Sequence, residues 1–124
     1  MSIEGKIWGS TEDLIKTPLF EIHRLVIKSN ARCSEHHHRF KHNAFLVTEG
    51  ELLIHVEQTD YQLTDTTKLN EGQITTVKPG LVHWFETGES GCVAYEFYYC
   101  EPLSKDIIRR NVGSQGGNIP PRRS

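Results

Sequence analysis

The chain has 124 residues, 36% of them hydrophobic, a formal net charge of −2, and acidic and basic residues interspersed along its length. That length suits one domain with a real core, and so balanced a charge points to neither nucleic acid nor an anionic membrane as a partner. No segment has the apolar length of a membrane-spanning helix, and Met1 to Thr17 lack the apolar core of a secretion signal, so a cytoplasmic protein is expected.

In chain order, short runs rich in β-branched and aromatic residues alternate with turn signals, the pattern of an all-β sandwich or barrel. Phe20 to Ile27 reads as a strand. Ala44 to Thr48 and Glu51 to Glu57 read as two strands joined around Glu49-Gly50, with Leu52, Ile54 and Val56 on one face. Tyr61 to Thr64 continues the sheet, Asp65 to Gly72 is polar and loop-like, and Gln73 to Val77 is extended again. Pro79-Gly80 marks a tight turn, His83 to Glu86 the next strand, Thr87 to Gly91 another turn, and Cys92 to Cys100 the longest strand. A short helix is expected over Ser104 to Arg110, with Ser104 as N-cap and Asp106 in the first turn. Residues 1–110 then form a single domain with its core in about 20–100, and 111–124 a flexible, solvated tail. Cys33, Cys92 and Cys100 are odd in number and lack zinc-motif spacing, so buried free thiols are expected in place of a disulfide framework.

The run His36-His37-His38 carries the clearest chemical signal. In an extended segment the period of two puts His36 and His38 on one face and His37 on the other. His83, in a second strand-like segment after Pro79-Gly80, is placed to complete a set of three. Three imidazoles suit zinc, iron, nickel, manganese or copper better than calcium or magnesium. A purification tag would lie at a terminus, whereas this run is internal and flanked by strand-like sequence.

The spacing His36-x-His38, four residues, Asn43, six residues, Gly50 resembles the first motif of the cupins, where a glutamate usually stands at the position of Asn43. Gly72, then Pro79-Gly80, two residues, His83 resembles the second. The resemblance covers roughly residues 20 to 100 and implies a cupin-type double-stranded β-helix, a jelly-roll barrel with a metal in its mouth. It implies His36, His38 and His83 as ligands to a divalent transition metal (iron, manganese, nickel or zinc), with Asn43 in place of the carboxylate. A neutral amide offers only a carbonyl oxygen, a weaker ligand than an anion. His42, adjacent to Asn43, has the opposite strand parity to it and is not expected to bind without a bulge.

The residues from His36 to Val47 resemble the version of the motif in sugar-related cupins similar to mannose-6-phosphate isomerases, where basic residues follow the histidines. Tyr95-Glu96-Phe97 and Lys105 to Arg109 are similar to the end of those proteins. This resemblance implies a metal-dependent isomerase or epimerase acting on a sugar or sugar phosphate. Such chemistry needs a base, and Glu96 is the first candidate. Alternation sets Glu96 opposite Val93, Tyr95, Phe97 and Tyr99, which favours an outward carboxylate paired with a basic residue such as Arg109. Arg39 and Lys41, in a loop beside the histidines, are candidates to hold a substrate phosphate or carboxylate. Phe45, Phe85 and Trp84 are candidates to wall the pocket, or else core and interface residues.

Two other readings stand beside this one: an iron-dependent dioxygenase, and a non-catalytic small-molecule-binding or sensor cupin, which the weakened Asn43 position supports. Lyase members of the family carry a tyrosine where this chain has Phe45, which counts against that chemistry. The resemblance and the several apolar strands of a short chain together suggest a homodimer.

Overall fold

A computed structural model describes residues 2–58, 63–100 and 109–116 of the chain. Nine strands are formed: β1 (Ile3–Lys6), β2 (Gly9–Lys16), β3 (Phe20–Ile27), β4 (His42–Gly50), β5 (Leu52–Gln58), β6 (Leu63–Leu69), β7 (Ile74–Val77), β8 (His83–Glu86) and β9 (Cys92–Tyr99). They build two antiparallel sheets, one in the order β1-β2-β3-β9-β4-β7 and one in the order β6-β5-β8. There is no helix among the described residues. The expected helix over 104–110 falls largely outside them, and so does the tail beyond Gly116. None of the described segments is a helix long and apolar enough to cross a membrane.

Alternation explains how the large sheet presents its faces. On β3, Leu25 and Ile27 are buried and Val26 between them is exposed; on β9, Cys92, Ala94 and Glu96 are buried and the residues between them are half-buried. The register sets Leu25 beside Ala94 and Ala94 beside Val47, so the inward residues of β3, β9 and β4 form continuous rows. Leu52 and Ile54 of β5, Leu69 of β6 and Phe85 of β8 close the same core from the small sheet. Burying one side chain of this size contributes roughly 1.5–3 kcal/mol.

Three elements differ from the sequence reading. The segment Asp65 to Gly72 is not a loop: β6 runs to Leu69 and pairs with β5 from Gln58 to Leu52. Its threonines are β-branched, and an edge strand exposed over Leu63 to Lys68 needs no apolar alternation. Strands β1 and β2 precede the first expected strand; both are mostly polar and are held by ladder bonds, with little burial. Glu49-Gly50 does join β4 to β5, but the two strands lie in different sheets.

Gly50 shows why that corner needs glycine. Its φ is +79°, and a Cβ there would run into the carbonyl oxygen of Gly91. Gly50→Ala is therefore expected to cost about 1–3 kcal/mol of stability, read as a lower urea midpoint with an unchanged slope. An unshifted midpoint would contradict this account of the corner.

Candidate metal centre

Polarity changes along each inward stripe of the barrel. On β3 the inward residues run Ile27, Leu25, His23, Glu21; on β9 they run Cys92, Ala94, Glu96, Tyr98; on β4 they run Val47, Phe45, Asn43. The antiparallel register aligns the polar ends, with His23 opposite Glu96, and Glu21 and Asn43 flanking Tyr98. One end of the barrel is thus an apolar plug and the other a polar mouth.

His36 and His83 meet in this mouth as a cross-strand pair. The His36 N–H donates to the His83 carbonyl at 3.1 Å and the His83 N–H returns the bond at 2.8 Å. Directly opposed residues point their side chains the same way, and the two rings lie 4.6 Å apart. The segment before His36 also pairs with β8, through Arg32 and Glu86. Four steps from Arg32 to His36 oppose three from His83 to Glu86, so one residue is bulged before the histidine run. His38 reaches the same spot, its carbonyl accepting from the Gly80 N–H at 2.7 Å in the Pro79-Gly80 turn. One ligand atom from each of His36, His38 and His83 lies within 4.8 Å of the others. His37 is exposed, and His42 stacks on Tyr99, 5.1 Å away.

The hydrogen bonds around the rings suit a cation. His36 Nδ1 donates to the Ser34 carbonyl at 2.8 Å, and His83 Nδ1 to the Leu81 carbonyl at 2.9 Å. Each bond fixes the proton on Nδ1 and leaves Nε2 as the acceptor of the ring, which in His83 takes the Asn43 amide N–H at 3.2 Å and would have to give it up to a metal. Burial, with the neighbouring His36 and His83 charges, pushes His38 down to about 4; burial likewise lowers His83. Both rings are then neutral at neutral pH, as ligation requires. Two buried polar atoms, His38 Nε2 and Asn43 Oδ1, have no hydrogen-bond partner. Both carry lone pairs, so a cation would satisfy them where a proton donor is lacking. The donor set thus fits a divalent transition metal.

Asn43 is fully buried, and its Nδ2 lies 3.2 Å from both His83 Nε2 and Glu96 Oε2. The amide nitrogen faces both, because His83 Nε2, with its proton on Nδ1, and Glu96 Oε2 are both acceptors. Glu96 corrects the outward orientation that alternation suggested. The inward set of β9 is Cys92, Ala94 and Glu96, because the smaller residues face the core while Val93, Tyr95, Phe97 and Tyr99 occupy the other face. The carboxyl, 8% exposed, is raised by burial, opposed by hydrogen bonds from Asn43 and Tyr98 and by the His23 charge.

A cavity of about 470 Å³ opens beside this cluster, lined by His36, Glu96, Tyr98, His23, Phe85 and Trp8 among others. Its size is typical of small-molecule sites.

The fold recurs in known structures. CapF from Staphylococcus aureus, a capsular polysaccharide assembling protein, superposes with a TM-score of 0.72 and 20% identity over 83% of this chain and 29% of that one. KdgF from Halomonas sp. gives 0.68 and 12% identity over 82% of this chain and 90% of that one. The cupin domain of Schizosaccharomyces pombe Cnp3 gives 0.68 and 14% identity over 82% of this chain and 69% of that one.

The chain has the cupin fold.

In sequence, the chain is 29% identical over 108 residues to a mannose-1-phosphate guanylyltransferase of Escherichia coli, covering 82% of the chain but only 21% of that protein. No protein-family model matches it.

The other candidate residues are spread between site and core. Phe85 lines the cavity, whereas Phe45, 1% exposed, sits in the core with its ring 6.5 Å from His83. Trp84 points to the opposite side of β8, between His55 and Arg32. Lys41 pairs with Glu21 at 3.3 Å and lies over the Tyr98 ring, and Arg39 is exposed. The cysteines are free thiols, with burial pushing Cys33 and Cys92 up to about 11.

Trp8, Asp13, His23 and Tyr98 are among the cavity residues that the sequence reading does not name as site candidates. His23 had a legible signal, since it shares parity with Leu25 and Ile27 on one strand. The ring is held at Nδ1 by Asp13, 2.7 Å away, and at Nε2 by Glu21, 3.0 Å away.

Proposed function

We propose that this cupin holds a divalent transition metal on His36, His38 and His83 and moves a proton between neighbouring carbons of a sugar or sugar phosphate. The observation that carries the reading is the Glu96 carboxyl, buried in the wall of the same cavity as His36, with its pKa raised. A carboxyl so placed can accept a proton from carbon and return it. The metal, when bound, supplies a Lewis acid that polarises a carbonyl or hydroxyl oxygen of the substrate. Asn43 and Tyr98 orient the Glu96 carboxyl. The Escherichia coli relative, which by name acts on mannose 1-phosphate, and CapF, named for capsular polysaccharide assembly, support the sugar class.

Exchange of carbon-bound hydrogen tests this directly. Metal-loaded protein incubated with mannose 6-phosphate in deuterated water is expected to introduce deuterium next to the carbonyl, seen by proton NMR. Glu96→Gln is expected to slow that exchange about 10²- to 10⁴-fold. Equal exchange by both proteins would remove Glu96 from the reaction. A second reading, ligand binding without turnover, is favoured by the neutral amide of Asn43 where a carboxylate usually stands. It predicts sugar binding with no exchange at all.

A further inference from the structure

The cavity beside His36 is lined by polar and by apolar side chains. The polar ones include His36, Glu96, Tyr98 and the Asp13–His23 pair, with the charged Glu4, Lys6 and Lys16. The apolar ones include Trp8, Leu25 and Phe85. Along β3 the inward residue changes from apolar Leu25 to polar His23.

Trp8 comes from the turn that joins β1 to β2 at the edge of the large sheet. Its carbonyl accepts from the Lys28 N–H at 2.8 Å, and its ring meets Phe85 edge-on at 4.9 Å and 87°. These contacts fix the indole in the cavity wall. An edge-on contact covers at most one face of an aromatic ring, and Trp8 is half-buried, packed on the core on one side and lining the cavity on the other.

A pyranose ring is amphipathic in the same sense as this cavity. Its axial C–H groups make an apolar face that stacks on an aromatic plane, and its hydroxyl rim seeks acceptors and donors. Asp13 accepts from His23 through Oδ1 and from Ser2 through Oδ2, and a carboxylate has lone pairs for further donors. Glu21 on the far side of His23 keeps that imidazole from turning away.

We propose that this cavity is a pyranose subsite, with Trp8 as the platform for the ring and the Asp13–His23 pair as the reader of its hydroxyls. The inference rests on the sugar reading above and adds the residues that would recognise the ring. It makes the β1–β2 hairpin a specificity element as well as a sheet edge.

Trp84 is the other tryptophan, so Trp84→Phe leaves Trp8 as the sole indole emitter. Mannose 6-phosphate titrated into that variant is expected to shift the Trp8 emission saturably. Calorimetry on the unaltered protein should give the same midpoint. Trp8→Leu is expected to weaken binding about tenfold, the scale of one aromatic contact, and Trp8→Phe by less, which covers the case in which the leucine variant fails to fold. Sugar binding with unmoved Trp8 emission, and with both variants within twofold of the parent, would overturn the subsite while leaving the sugar reading intact. No binding of mannose 6-phosphate or mannose 1-phosphate to the unaltered protein would overturn both.

Discussion

Replacing His36 by alanine is expected to weaken zinc or nickel binding at least about 100-fold, since loss of a mere supporting contact to a ligand costs about 10- to 100-fold. His37→Ala is the matched control. The two residues are neighbours in the same run, but the His36 ring lies among those of His38 and His83, whereas His37 is exposed. The cross-strand pairing of His36 with His83 is made by backbone groups, so the alanine variant keeps the strand register. Isothermal titration of chelator-treated protein checks this. If both variants weaken equally, the metal is held by the histidine run as a flexible chelator and not by the folded site.

A second large effect is expected in the core. Phe45 is 1% exposed and lies 6.2 Å from Phe85, at the boundary between the apolar plug and the polar mouth. Phe45→Ala is expected to cost about 3–5 kcal/mol, from lost burial and the cavity left behind. Against a total stability of about 5–15 kcal/mol, this lowers the melting temperature by on the order of 15 °C. Phe40, 78% exposed, is the control, with a change within about 0.5 kcal/mol for Phe40→Ala. A thermal melt in which both variants match the parent would contradict the core assignment.

Much of this architecture is legible in the residues. Alternation of apolar residues marks β3, β5, β8 and β9 because those strands bury one face, and burial writes itself into a period of two. The same rule places His36, His38 and His83 together, since parity and a tight turn suffice. Strands β1, β2 and β6 leave little trace, being edge or near-edge elements stabilised by backbone ladders that any polar residue can make. Glu96 was misdirected for a related reason: parity says which residues share a face, not which face is inside. The small Cys92 and Ala94 take the inner side, and the bulky aromatics, which look like core, take the outer one. Asp13 and Trp8 join the site only through the pairing of β2 with β3 and of β3 with β9, a long-range fact that no local pattern records.

The central claim is that His36, His38 and His83 hold one divalent transition metal. Elemental mass spectrometry on untagged protein, purified without added metal and then titrated with iron, manganese, nickel and zinc, tests it most directly. The account predicts one equivalent of metal per chain, absent from the His36→Ala/His83→Ala variant. A protein that arrives without metal and takes up none on titration would contradict it.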